Sequence, residues 1–191
     1  NLDDLLLGVL FRVEDLGVHF FAFNAGLGIS LNVINIMVWP LYPLLCAARG
    51  NFVEFKHKYF HSLKTISLVI VPLVILQSSL APFYVPIVFG EKWRMAVPML
   101  VLICLSAIPR PFEKAAALLL QSLDKALINV RWSLIFTGIF IASIFIGMQW
   151  GIFGVAVSVL ISHAVAMPVF TVWATILVFA RNSTLLLNKK S

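Results

Sequence analysis

Between Trp132 and Ala180 the chain runs for 49 residues without an Asp, Glu, Lys or Arg. As one helix that stretch would be about 73 Å long at roughly 1.5 Å per residue. A hydrocarbon core is only about 30 Å thick. The stretch must therefore fold back once. The turn is expected at Gly147-Met148-Gln149-Trp150-Gly151, where glycines bend the backbone and a Trp suits the membrane interface. Buried soluble helices are a poor alternative, because the run offers no polar face to water. A β-barrel fits worse, since the alternation of its strands, each about ten residues long, is absent.

Charges divide the rest of the chain in the same way. Leu16 to Ala48 and Thr65 to Gly90 carry no charged side chain. Met95 to Pro109 is also clean, but at about 22 Å it is too short to cross alone. Its helix must continue through Arg110, Glu113 and Lys114 into Ala115–Leu123. Overall 61% of residues are hydrophobic, 12% are charged and the mean hydropathy is +1.02. The charged share is about half that of a soluble domain. Ordinary globules, disordered tails and disulfide scaffolds are excluded. The expected fold is all-α, a polytopic transmembrane helix bundle forming a single lobe over residues 1–191. It has about five full spans, near 17–39, 65–86, 95–121, 130–149 and 153–179, and a leading partial helix. The first apolar run, Leu5–Phe11, is too short to cross, so the chain is expected to begin partway through a helix. Its opening residues lack a basic segment followed by a short apolar core, so they are not expected to be a signal peptide.

The connections then show a polarity. Arg49, Lys56, Lys58 and Lys64 follow the first full span, Lys125 and Arg131 the third, and Arg181, Lys189 and Lys190 the last. The alternate connections hold only Arg12, Lys92 and Arg94. By the positive-inside rule the 45–64 loop, the 124–131 loop and the C-terminus are expected in the cytoplasm. The opening acids Asp3, Asp4, Glu14 and Asp15 fall on the outer half. The net charge of +6 is thus a topology signal. The 49–64 run is read as a solvated loop near anionic headgroups. Nucleic acid is not an expected partner, because no second basic surface interleaved with aromatics exists.

Polar residues inside the spans carry the functional signal. Arg110 falls near the middle of the third full span, where an Arg costs roughly 2.5–3.5 kcal/mol on insertion scales. Glu113 and Lys114 share its helix face. Pro109 and Pro111 flank the group and should loosen the helix. Two readings stand side by side: a structural Arg110–Glu113 pair, or a cationic site in an aqueous cavity facing an anionic substrate. Two cations against one anion leave a positive surplus. In the first full span Asn24 and Asn35 nearly eclipse, Asn32 lies about 80° away and Gly28 falls between them. Such a stripe serves interhelical hydrogen bonds and close backbone approach, or equally lines a sugar path. Gln77, Ser78 and Ser79 read the same way. His163, in the last span beside Pro168, is read as a packing residue rather than a proton relay.

No enzymatic chemistry is visible. There is no phosphate-binding glycine loop and no Cys/His cluster with metal spacing. The pair His57 and His61 has no further ligand at a suitable spacing. Cys46 and Cys104 are read as packing residues. No cofactor, metal or catalytic residue is expected.

The segment Phe89-Gly90-Glu91-Lys92-Trp93, with Ala96 and Pro98, resembles the Phe-Gly-x-x-Trp-x-x-Ala-x-Pro signature of polysaccharide-transporter flippases. These belong to the multidrug/oligosaccharidyl-lipid/polysaccharide exporter superfamily. Asp4-Leu5-Leu6-Leu7-Gly8 with Leu16-Gly17, Pro40, Leu119–Lys125 and Gly151-Ile152-Phe153-Gly154-Val155-Ala156 resemble further family segments, in the family's order. Arg12, His19 and Asp124 depart from it, the last replacing a usual Gly. The resemblance implies two six-helix lobes around a cavity open alternately to each side, this chain resembling most of the second lobe.

The resemblance also implies a function: moving an undecaprenyl-diphosphate-linked oligosaccharide from the cytoplasmic to the outer leaflet of the inner membrane, for cell-surface polysaccharide. Arg110 would meet the diphosphate as a fork donor. Lys114 would add charge, Glu113 would orient or gate, and Asn24, Asn32 and Asn35 would line the sugar path. Expected partners are the lipid bilayer, the lipid-linked oligosaccharide, an N-terminal lobe of the same protein and polysaccharide-assembly proteins. Two rivals stay open: a cation-coupled drug exporter of the same superfamily, and a non-transporting membrane scaffold for glycan assembly.

Overall fold

The computed structural model describes residues 13–181. The expected leading half-helix, the acids Asp3 and Asp4, and the cations Arg12, Lys189 and Lys190 lie outside the described residues. Seven α-helices follow one another: α1 (Val13–Val38), α2 (Leu41–Ala47), α3 (Phe52–Phe89), α4 (Val97–Leu105), α5 (Arg110–Gln121), α6 (Ala126–Gly147) and α7 (Gly151–Arg181). Short 3-10 turns at Glu91–Ala96 and Met148–Trp150 join α3 to α4 and α6 to α7. There is no strand among the described residues. Among the described residues five stretches are long and apolar enough to cross a bilayer: Ser30–Ala47, Phe52–Phe89, Glu91–Gln121, Ala126–Trp150 and Phe153–Ala180. The protein is a multi-pass, all-α membrane helix bundle.

Local chemistry explains the boundaries. Asn51 caps α3, its Oδ1 accepting from the Val53 and Glu54 amides at 3.1 and 3.3 Å. Glu54 then pairs with Lys58 one turn on, at 2.7 Å. This start carries α3 well beyond the apolar run, so most of the basic segment expected as a loop is helix. Gly90, at φ +94°, ends α3, a conformation that disfavours a side chain. The turn at 147–151 falls where the glycines place it, with Gly151 at φ +70°. A Cβ on Gly147 would strike Ser158 Oγ and the Gly154 carbonyl, so α6 and α7 approach backbone to backbone there.

The third span is interrupted. Residues 106–109 form turns between α4 and α5. Pro109 and Pro111 lack amide donors, and each biases its predecessor away from helical geometry. Ser106 donates from Oγ to the Ile103 carbonyl at 2.6 Å, and Arg110 becomes the first residue of α5.

Side-chain packing collects into two main apolar cores. One joins α1, the charge-free part of α3 and α4, around Leu27, Ile34, Ile70, Leu100 and Ile103. The other joins α2, the start of α3, α5 and the end of α7, around Leu45, Tyr59, Leu119, Leu120 and Phe170. Residues 108–114 lie at the waist between them. Outside the cores, α6 and α7 present Leu134, Ile139, Ile146, Val165 and Val169, all exposed. In water such a surface would aggregate; in hydrocarbon it is the expected outer face.

The ends of the bundle are fixed by named contacts. Arg49 forks onto Asp124, Nη1 to Oδ2 at 3.1 Å and Nη2 to Oδ1 at 3.2 Å, so the connections at 48–51 and 122–125 share one end. The carboxylate pushes the Arg49 pKa up from its ordinary value. Phe179 of α7 lies among Phe52, Phe55, Tyr59 and Phe60 at that same end. At the opposite end Phe21 stacks on Trp93 at 4.1 Å and meets Phe89 edge-on at 4.9 Å.

Candidate functional site

The waist between the two cores holds the charged group. Arg110, Glu113 and Lys114 occupy the first turns of α5 and are all half-buried. The break at 106–109 puts them at a helix N-terminus, where unpaired amides add roughly half a positive charge. α5 packs against both α1 and α7. On the α1 side Lys114 Nζ donates to Asn35 Oδ1 at 2.5 Å. On the α7 side His163 is buried, and its ring lies close enough to feel the Arg110 charge. Arg110, Glu113 and Lys114 act on one another in the same way.

His163 is firmly held. Its Nδ1 lies 2.8 Å from the Val159 carbonyl, which can only accept, so Nδ1 carries the proton. The Phe136 and Phe140 rings meet it edge-to-face at 5.4 Å. Read alone in the sequence, His163 is a packing residue; the fold adds that it lies within range of the Arg110 charge. Its one signal is a polar side chain in a span otherwise free of charge.

The three asparagines separate. Asn35 is half-buried and joins the charged group. Asn24 is exposed, with its Nδ2 donating to the Phe20 carbonyl of its own helix at 2.8 Å, leaving its carbonyl oxygen for another donor. Asn32 is exposed as well. Gly28 meets nothing within 4 Å, whereas a Cβ on Gly26 would lie 3.2 Å from the Leu100 carbonyl. Close backbone approach therefore belongs to Gly26.

Gln77 does more than its sequence position suggests. Its Nε2 donates to the Ala25 and Gly26 carbonyls at 3.0 and 2.9 Å, and its Oε1 accepts from Ser30 Oγ at 2.7 Å. This clamp fixes α1 against α3. Beside it lies a cavity of about 550 Å³ lined by Asn24, Gln77, Tyr84 and apolar residues including Leu73, Leu76 and Leu80. Among the described residues no group of three or more His, Cys, Asp or Glu could hold a metal ion.

A family model described as "Polysaccharide biosynthesis protein" matches residues 1–98. The chain is similar to an "Uncharacterized membrane protein in cps region" of Klebsiella pneumoniae, 27% identical over 150 residues, covering 78% of this chain and 31% of that one. It is similar to the "Lipopolysaccharide biosynthesis protein WzxC" of Escherichia coli, 24% identical over 162 residues, covering 84% and 33%. It is also similar to the "Teichuronic acid biosynthesis protein TuaB" of Bacillus subtilis, 24% identical over 151 residues, covering 79% and 31%. The chain spans about a third of the length of these curated relatives. No solved structure matches it.

Proposed function

The chain belongs to the polysaccharide biosynthesis protein family, and from that premise we propose that it is one lobe of a flippase for a lipid-linked oligosaccharide, carried on undecaprenyl diphosphate. The observation that carries this reading is the partner of Lys114. An amide, Asn35, orients the ammonium without cancelling its charge. Among the described residues Glu113 is the one carboxylate on this helix face, beside two cations and a helix N-terminus, and the Lys114 ammonium keeps its charge at the waist. A diphosphate crossing hydrocarbon needs such a counter-charge, and Arg110 can supply paired donors to it.

Asn24 and Asn32 support the same reading. Each is an exposed amide on a membrane-spanning helix. Facing lipid it would be costly; facing a wet cavity it can replace the hydration of a sugar. The α1 face is therefore the cavity wall, and the exposed apolar residues of α6 from Leu134 to Ile146 meet lipid. Glu113 orients or gates. A second lobe completes the path, and the two rock to expose the cavity to each leaflet in turn. The protein is a transporter rather than an enzyme. The end carrying Arg49, the start of α3 and Lys125 faces the cytoplasm across the inner membrane.

The test is complementation of an export-deficient strain by the full-length protein carrying Arg110→Ala or Arg110→Lys. Surface polysaccharide is expected to fall at least roughly tenfold with Ala, at unchanged protein level in the membrane, and Lys should restore part of it. Full export by the Ala variant would remove Arg110 from the path.

A further inference from the structure

The start of α3 carries a charge pattern that the proposed path leaves unused. Its first 13 residues, Phe52 to Lys64, extend about 20 Å before the charge-free run at Thr65. One side is fixed to the bundle: Phe55 and Tyr59 are buried, and Phe179 sits against both at 6.2 and 5.7 Å. On the other side Lys56, Phe60, Lys64, His57 and His61 share an arc of about 140° at 100° per residue, and all are exposed. The His57 and His61 rings stack at 5.8 Å.

The neighbouring cations are treated differently. Lys58 is paired with Glu54 at 2.7 Å, and Arg49 is forked by Asp124. Among the described residues no carboxylate lies within ion-pair distance of Lys56 or Lys64. Their charges are left for something outside the bundle. Val53 and Phe60, 76% and 44% exposed, put apolar surface on the same arc. A face that mixes unneutralised cations with exposed apolar groups suits a lipid interface better than free solution.

We propose that the arc formed by Lys56, Phe60, His61 and Lys64 docks the phosphate headgroups of anionic phospholipids in the adjoining leaflet. α3 continues from the charge-free run into this projection without a break, so Lys64 stands next to the span and Lys56 about two turns further out, within reach of headgroup phosphates along a helix lying towards the leaflet surface. Lysine stems lie along apolar surface while their ammonium groups reach the phosphates. Each such cation near an anionic leaflet attracts it, and the attraction is screened by salt.

The experiment uses the full-length protein in phosphatidylcholine vesicles holding a trace of spin-labelled phosphatidylglycerol or spin-labelled phosphatidylcholine. Electron paramagnetic resonance reads the share of each label immobilised at the protein surface. The expected result is a preference of about twofold or more for phosphatidylglycerol, suppressed at about 1 M salt. Lys56→Gln/Lys64→Gln should abolish it. Lys56→Arg/Lys64→Arg should keep it, and so should Lys58→Gln, whose ammonium Glu54 already holds. A preference that survives the double Gln variant overturns the proposal. So does one that millimolar inorganic phosphate removes at low salt, since that would identify a soluble anion as the ligand.

Discussion

Lys114 Nζ and Asn35 Oδ1 lie 2.5 Å apart, joining helices α5 and α1 across 79 residues of sequence. The bond is between a full charge and a neutral dipole. It sets where the ammonium points and leaves its charge intact. A carboxylate in the same place would hold the ammonium equally well and extinguish the field at the waist.

That difference separates structure from function. Asn35→Asp should preserve the contact and therefore thermal stability, while lowering polysaccharide export several-fold. Asn35→Leu strands a half-buried ammonium and should cost about 1–3 kcal/mol. Thermal unfolding in detergent and complementation of an export-deficient strain read the two effects. Equal export by wild type and Asn35→Asp would mean that the surplus charge does not matter.

The α6–α7 hairpin rests on contact between small residues. Gly147→Val would drive a branched side chain into Ser158 and the Gly154 carbonyl. Overpacking of this kind costs about 1–3 kcal/mol, and backbone atoms cannot yield as a flexible side chain does. A lowered unfolding temperature is expected. Gly138→Ala, at a glycine with nothing within 4 Å, should leave it unchanged.

Gln77→Leu removes three hydrogen bonds between α1 and α3. Interhelical hydrogen bonds in membranes contribute about 0.6–2 kcal/mol each. A loss of about 2–6 kcal/mol is expected, read by thermal unfolding. Ser30→Ala should cost less, since it removes only one of the three.

Asp124 combines a gain and a penalty. Its fork onto Arg49 is exposed, with 83% of the Asp124 side chain accessible, so the pair contributes little. Its φ of +60° costs about 1 kcal/mol for a residue other than glycine. Asp124→Gly loses the pair and relieves the backbone, so stability should shift by less than about 1 kcal/mol. Asp124→Val loses the pair and keeps the strain, and should be clearly destabilised by the same measurement.

The spans were legible because charge is costly in hydrocarbon whatever surrounds it. The 49-residue uncharged run and the glycines at 147 and 151 set the last hairpin, and the prolines at 109 and 111 marked where the third span opens. The start of α3 was less legible. Lysines there exclude it from the bilayer but say nothing about helix, and the Asn51 cap with the Glu54–Lys58 pair made it one.

The candidate site was legible only in part. Arg110, Glu113 and Lys114 stand out because any charge in a span does, and they cluster because they share one helical turn. Their neighbours do not. Nothing local distinguishes Asn35, which meets Lys114, from Asn24, which bonds its own helix, or Gly26, pressed against Leu100, from Gly28, which meets nothing.

The sequence by itself determined that this chain crosses a membrane about five times, where it turns, and that cations lie deep within it. Those outcomes follow from transfer free energies and backbone preferences, which each short segment carries alone. The tertiary structure decided which polar groups meet. It set Lys114 on Asn35, His163 within range of the Arg110 charge, and the charged group at the waist between two apolar cores. Such pairings depend on helix rotation and crossing, and those are set by packing among residues far apart in the chain.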